Sequence, residues 1–141
     1  MALNEEKFKD FINSCRDFNS FVGTKVRQVH EGTSVLEVEM RQELCNRWGI
    51  PHGGVIFTLA DTAAGVAAMS AGERRTVTVN AQMNYMRIGV PEGKMTARGK
   101  TEKAGKSLAF VDVEVFDSKE TLVARGQFTL AYSEEKIPGM G

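Results

Sequence analysis

The chain is short of the residues that build metal centres, disulfide frameworks and nucleic-acid grips. Its 141 residues hold two cysteines, Cys15 and Cys45, with no CxxC pair and no Cys/His cluster beside either. Both read as free thiols, and no metal site is expected. Neither sign of charge prevails: 18 Lys+Arg balance 18 Asp+Glu. A dedicated nucleic-acid binder would carry a basic excess, so that class is set aside. Long uninterrupted apolar runs are missing too. The one extended run, residues 55–69, is broken by Thr58, Asp61, Thr62 and Gly65, which argues against a membrane span. The N-terminus, MALNEEKFKDF, is charged rather than apolar and does not read as a secretory signal. A cytoplasmic location is the resulting expectation. What the chain does have is 42% hydrophobic residues and a length suited to one domain, residues 1–141, with a sizeable core.

That core is organised by Asn46 to Ser70, NRWGIPHGGVIFTLADTAAGVAAMS. A polar loop tightens through Pro51-His52-Gly53-Gly54 and then runs apolar and alanine-rich. Helical spacing puts Thr58, Asp61, Thr62 and Gly65 on one face, at i, i+3, i+4 and i+7. A surface helix would carry Lys and Glu there. Hydroxyls, one acid and a glycine instead indicate a buried helix whose small polar face meets a cleft or a partner. An uncompensated buried carboxylate is costly, so Asp61 needs a reason. One reading is an ordinary buried helix in which Asp61 bonds a neighbouring backbone group; the other is a functional acid.

Residues 4–18, within an N-terminal helical segment 1–20, read as one amphipathic helix. Asn4 is its cap, and Phe8, Phe11, Ile12, Cys15 and Phe18 form its apolar stripe. Residues 24–30 and 34–40 read as a hairpin, with Leu36, Val38 and Met40 alternating against Glu37 and Glu39. In loop 41–52, Trp48 beside Gly49 reads as a lid or, better, as a packed anchor. Ala71-Gly72-Glu73 ends the central helix. Residues 76–85 alternate cleanly, with Val77, Val79, Ala81, Met83 and Tyr85 on one face. Three more strands, 94–103, 107–116 and 121–132, follow with short turns. The tail 133–141 is expected to be loose. A run of helix, two strands, long helix and four strands is an α+β layering, an antiparallel sheet curved around one small-residue-rich central helix.

Gly53-Gly54 at a helix start leaves N–H donors with no Cβ in front of them, suited to polarising a carbonyl. Gly53 or Gly54 and Asp61 lie on nearly the same face, since seven or eight residues is close to two turns, and about 10–12 Å apart along the axis at the helical rise. One carbonyl carbon cannot touch both within about 3.5 Å. Shared chemistry therefore demands a second helix, most simply an antiparallel twin with its two-fold axis near Phe57 and Thr58.

Asn46, His52-Gly53-Gly54 and Leu59-Ala60-Asp61-Thr62-Ala63 resemble the signature of hotdog-fold thioesterases of the phenylacetyl-CoA (PaaI-like) type, over roughly residues 20–132. The resemblance implies a hotdog sheet wrapped around the helix, assembled as a homodimer or as a homotetramer built as a dimer of dimers. It implies hydrolysis of an acyl-CoA thioester, with coenzyme A as part of the substrate and no separate cofactor. Asp61 would be general base or nucleophile, Gly53 would polarise the carbonyl, and Asn46 and His52 would position substrate or water. Gly54 and Thr62 would contact substrate, and Arg87, Lys103, Lys106 and Ser107 would form a rim for the CoA phosphates. The Ile50-Pro51 step before His52 is a local variation on the pattern. Phe57, Met83, Tyr85 and Phe110 are candidates to line a pocket for an aromatic or medium-chain acyl tail, and each reads equally as plain core. A non-catalytic acyl-CoA-binding module and an acyl-CoA hydratase or dehydratase are the alternatives.

Overall fold

In the computed structural model, which describes residues 3–138, the expected single N-terminal helix is two. Helix α1 spans Glu5–Ser14, and the Asn4 side chain caps it by accepting the Lys7 N–H at 3.0 Å. The chain then turns extended at Cys15, and α2 runs Phe18–Val22. The break has a local cause. The Asp17 carboxylate accepts the Ser20 N–H and the Ser20 hydroxyl answers the Asp17 backbone, a reciprocal cap that starts a new helix. Phe18 thus leaves the α1 stripe, in which Phe8 is the fully buried member.

Six strands form one antiparallel sheet in the order β1-β2-β4-β5-β6-β3. They are β1 (Thr24–His30), β2 (Thr33–Glu39), β3 (Arg74–Tyr85), β4 (Lys94–Ala104), β5 (Leu108–Phe116) and β6 (Leu122–Lys136). Helix α3, Gly53–Gly72, lies across one face of the sheet, with ten of its residues buried. Its length and apolarity would also suit a membrane crossing; here the sheet covers that surface. This is the hotdog arrangement. The helix closes on Glu73, which takes the left-handed conformation (φ 59°) that a glycine usually supplies.

Small residues let the sheet come close. Ala60, Ala63, Ala64, Ala67 and Ala68 are fully buried, and buried Ser34 on β2 donates to the Ala63 carbonyl at 2.7 Å. A Cβ built on Gly99 of β4 would sit 2.8 Å from that same carbonyl oxygen and 2.7 Å from the Ser34 hydroxyl. The obstacle is backbone, so it cannot rotate away. Gly99→Ala is therefore expected to lower the unfolding free energy by about 1–3 kcal/mol, the range for overpacked cores. Urea unfolding followed by circular dichroism would measure it.

Edge strand β3 departs from the clean alternation its sequence shows. Thr78 pairs with Leu130 and Asn80 with Thr129, so Val79 is an inserted residue. Before the bulge, Thr76 and Thr78 face α3, and Val77 and Val79 stand 64% and 56% exposed. After it, Ala81 and Met83 pack on the core. The five apolar residues expected on one face are thus divided by the bulge. The C-terminal segment also differs from expectation. Strand β6 continues to Lys136, paired with Arg74, and Ile137 is buried. The end of the expected loose tail, 139–141, lies outside the described residues.

Candidate active site

The start of α3 is where loop, helix and edge strand converge. His52 is the N-cap, and its ring Nδ1 accepts the Gly54 N–H at 2.7 Å. That fixes Nδ1 as the unprotonated nitrogen in this bond. The first helical residue, Gly53, has no intrahelical acceptor for its N–H, and none appears among the described residues. Of the two glycines, Gly53 is therefore the one with a free donor, and both are solvent-exposed. The Tyr85 ring walls this corner: a Cβ on Gly53 would lie 3.7 Å from it, and the phenol donates to the Gly53 carbonyl at 3.4 Å. Desolvation pushes the Tyr85 phenol above its ordinary value, which keeps it a neutral donor.

Asn46 builds the loop in front of the helix. Its side-chain oxygen accepts the Trp48 N–H at 2.9 Å and the Ile50 N–H at 3.4 Å. Its backbone N–H donates to the Ile50 carbonyl at 2.8 Å. A bridge between Cys45 and Pro51 closes the base, so the Ile50-Pro51 step sits in a fixed turn. The Asn46 amide NH2 has no partner among the described residues. Trp48 is not the packed anchor expected; the turn holds it outward, 77% exposed.

Further along α3, Asp61 is half-buried rather than sealed, on the face shared with Thr58, Thr62 and Gly65. The Thr78 hydroxyl donates to its Oδ1 at 2.7 Å, a partner that the unbulged reading of β3 did not single out. The Thr62 hydroxyl lies 2.8 Å from Asn19 Oδ1 and 2.8 Å from the Thr58 carbonyl, which engages it with α2.

The other expected residues scatter. Phe57 stacks at a tilt on Phe128, ring centroids 5.7 Å apart, and Met83 is in the core. Phe110 alternates with buried Ala109 and Val111, so it lies on the sheet face away from α3 and cannot line a pocket beside Gly53. Arg87 donates to the Leu122 carbonyl at one end of the sheet. Lys106 and Ser107 occupy the β4–β5 turn at the other end, where Arg74 and Tyr132 hold their carbonyls, and Lys103 is nearby on β4. The nine residues of β5 separate the two ends, roughly 30 Å at the strand rise. Within one protomer these cations cannot form a single rim. Asp117, read from sequence as part of a turn, is buried; its carboxylate accepts the N–H groups of Val90, Lys119 and Thr121 and ties the Arg87 loop to the β5–β6 turn.

A family model, the Thioesterase superfamily, matches residues 49–124, more than half of the chain and all of α3. The chain belongs to the Thioesterase superfamily. It is a hotdog-fold, PaaI-like thioester hydrolase, and among relatives it is 26% identical to a putative esterase of Archaeoglobus fulgidus over 94% of this chain and 86% of that protein. It is 27% identical to the acyl-coenzyme A thioesterase PaaI of Escherichia coli over 73% of each. Among solved structures, a conserved protein of Pseudomonas aeruginosa is 30% identical, with a TM-score of 0.80 covering 86% of this chain and 98% of that one.

Proposed function

We propose that the protein hydrolyses acyl-CoA thioesters at sites shared between two subunits. Asp61 of one subunit acts on a thioester whose carbonyl is held by the partner's Gly53. The observation that carries this is the pairing of a free N–H donor at Gly53 with a half-buried carboxylate eight residues along the same helix. That is about 12 Å at the helical rise, too far for one carbonyl to use both.

The arrangement of α3 and β3 supports the second subunit. They run side by side in opposite directions, with Tyr85 against Gly53 and Thr78 against Asp61. The midpoint between Gly53 and Asp61, near Phe57, therefore lies level with Ala81 and Gln82 on β3. Among the described residues strand β3 is an edge, bonded only to β6, and its outer backbone groups are open to another strand. Antiparallel pairing of two β3 edges about that level brings each Asp61 toward the partner's Gly53. It also brings the Arg87 end of one sheet beside the Lys106 end of the other, assembling the cationic rim that one protomer lacks.

The similarity to an acyl-coenzyme A thioesterase supports the substrate class. The carbonyl oxygen gains negative charge as the carbon is attacked, and the Gly53 N–H with the α3 dipole stabilises it. Asp61 drives the attack, by removing a proton from water or by adding to the carbon itself. The carbon–sulfur bond breaks, sulfur leaves as the coenzyme A thiol after taking a proton, and water supplies the hydroxyl of the free acid. Asn46 and His52 hold the approach to the carbonyl.

A panel of acyl-CoA thioesters with free-thiol detection tests the reading. Release of coenzyme A from at least one member, at kcat/KM in the ordinary enzymatic range above about 10⁴ M⁻¹s⁻¹, is expected. No release from straight-chain, branched or aromatic members would overturn it.

A further inference from the structure

Resting on that reading, we propose that α2 is the wall that selects the acyl group, with Phe18 and Val22 facing a small, neutral, apolar acyl chain. A cleft of about 250 Å³ opens beside the start of α3, reached by His52 and Gly54 at one end and by Phe18 and Val22 at the other. Leu44 and Val55 complete its apolar lining. Gly54 and His52 bring it to the residue next to Gly53, whose N–H is the proposed carbonyl donor, so an acyl group held at Gly53 points toward the α2 side chains.

Helix α2 is held more firmly than five residues can hold themselves. Its capping box fixes one end, and left-handed Gly23 (φ 100°) fixes the other. The Arg41 guanidinium donates to the Val22 carbonyl at 2.6 Å and the Phe21 carbonyl at 3.2 Å. Asn19 meets the Thr62 hydroxyl on α3 at 2.8 Å. On this fixed backbone Phe18 is 64% exposed. A rigid mount presenting an aromatic ring at the mouth of a cleft is the build of a binding wall.

The lining chemistry decides which end of the substrate enters. Among the described residues no lysine or arginine lines this cleft, and Arg41 is engaged by the α2 carbonyls and by Glu43 at 3.9 Å. The Glu43 carboxylate also lines the cleft, paired with Arg41, so the lining offers no free cation to the CoA phosphates or to an acyl group ending in a carboxylate. What remains is the acyl end, uncharged. In one protomer the cleft holds about 250 Å³, less than the about 300–1,000 Å³ of a pocket for a drug-sized ligand; a short chain or a single ring fits inside it, and a longer chain must pass the Phe18 ring.

The test is a chain-length series of acyl-CoA esters run with wild type, Phe18→Ala, Phe18→Trp and Phe21→Ala. Phe21 is on the same helix, 79% exposed, and outside the cleft. Phe18→Ala is expected to raise the long-to-short ratio of kcat/KM at least about tenfold, the scale on which a change in an apolar pocket discriminates substrates. Phe18→Trp should lower it, and Phe21→Ala should leave it unmoved. Inhibition by free coenzyme A should be the same in all four. A wild type that hydrolyses the series with a ratio unchanged in both Phe18 variants overturns this inference and leaves the thioesterase reading intact. A Phe18→Ala protein whose subunit number changes in light scattering while its ratio does not also overturns it, since α2 would then be a subunit contact. A wild type inactive on the whole series defeats the thioesterase reading itself.

Discussion

Asp61→Asn is expected to bind acyl-CoA and fail to hydrolyse it. Asparagine keeps the size of the side chain and an oxygen for the Thr78 hydroxyl, which now donates to Asp61 at 2.7 Å. The half-buried position between α3 and β3 is therefore undisturbed, and thermal stability should stay near wild type. What disappears is the charge proposed to take the proton or attack the carbon. Positioned acid–base groups contribute about 10²–10⁴ in rate, so a kcat loss of that size or larger follows, with the dissociation constant from calorimetry nearly unchanged. Hydrolysis at the wild-type rate would remove Asp61 from the mechanism.

Gly53→Pro is the second large effect, and its geometry permits a clean deletion. Proline lacks the one N–H at issue and is favoured at the first helical position. The residue before a proline must be extended, and His52 already is, at φ −69° and ψ 140°. The cap from His52 to Gly54 does not involve the Gly53 N–H. Loss of one oxyanion donor costs about 10²–10³ in kcat, and that fall is expected here without a fall in helix content. The two variants together probe the proposed sharing of the site. Co-refolded in equal amounts, half the dimers are mixed, and each mixed dimer holds one intact site and one doubly altered site. Activity should return to about a quarter of wild type if the pairing is two-fold and random. Mixtures no more active than the separate variants would place both groups in service of their own subunit.

Much of this was legible in the sequence because the central helix announces itself. Its alanine-rich spacing, its His-Gly-Gly entry and its lone acid together set the fold, the polar face and the axial separation, and the structure has each of them. Strand positions were recoverable from alternation within a few residues. The losses come where one residue overrides a pattern. Asp17 and Ser20 cap each other and end a helix whose apolar stripe runs on through Phe18. Trp48 is held outward by a turn that Asn46 organises, and no periodicity reports on that. The cleft beside α2 draws its walls from residues far apart in sequence, Phe18, Leu44 and Val55, so only folding reveals it. The bases of the cationic rim are a different case. Each was a reasonable strand-end cation, and the distance between them belongs to topology rather than to residue type.

The inserted residue in β3 bears on how one strand can attend both ends of the proposed reaction. Thr78 and Tyr85 are seven positions apart, an odd number, and in an unbroken strand such residues turn to opposite sides. Here both turn toward the helix, one supporting the acid and the other flanking the amide donor, because Val79 resets the phase between them. Excising that single valine would leave the sequence more regular and orphan one of the two halves of the proposed chemistry.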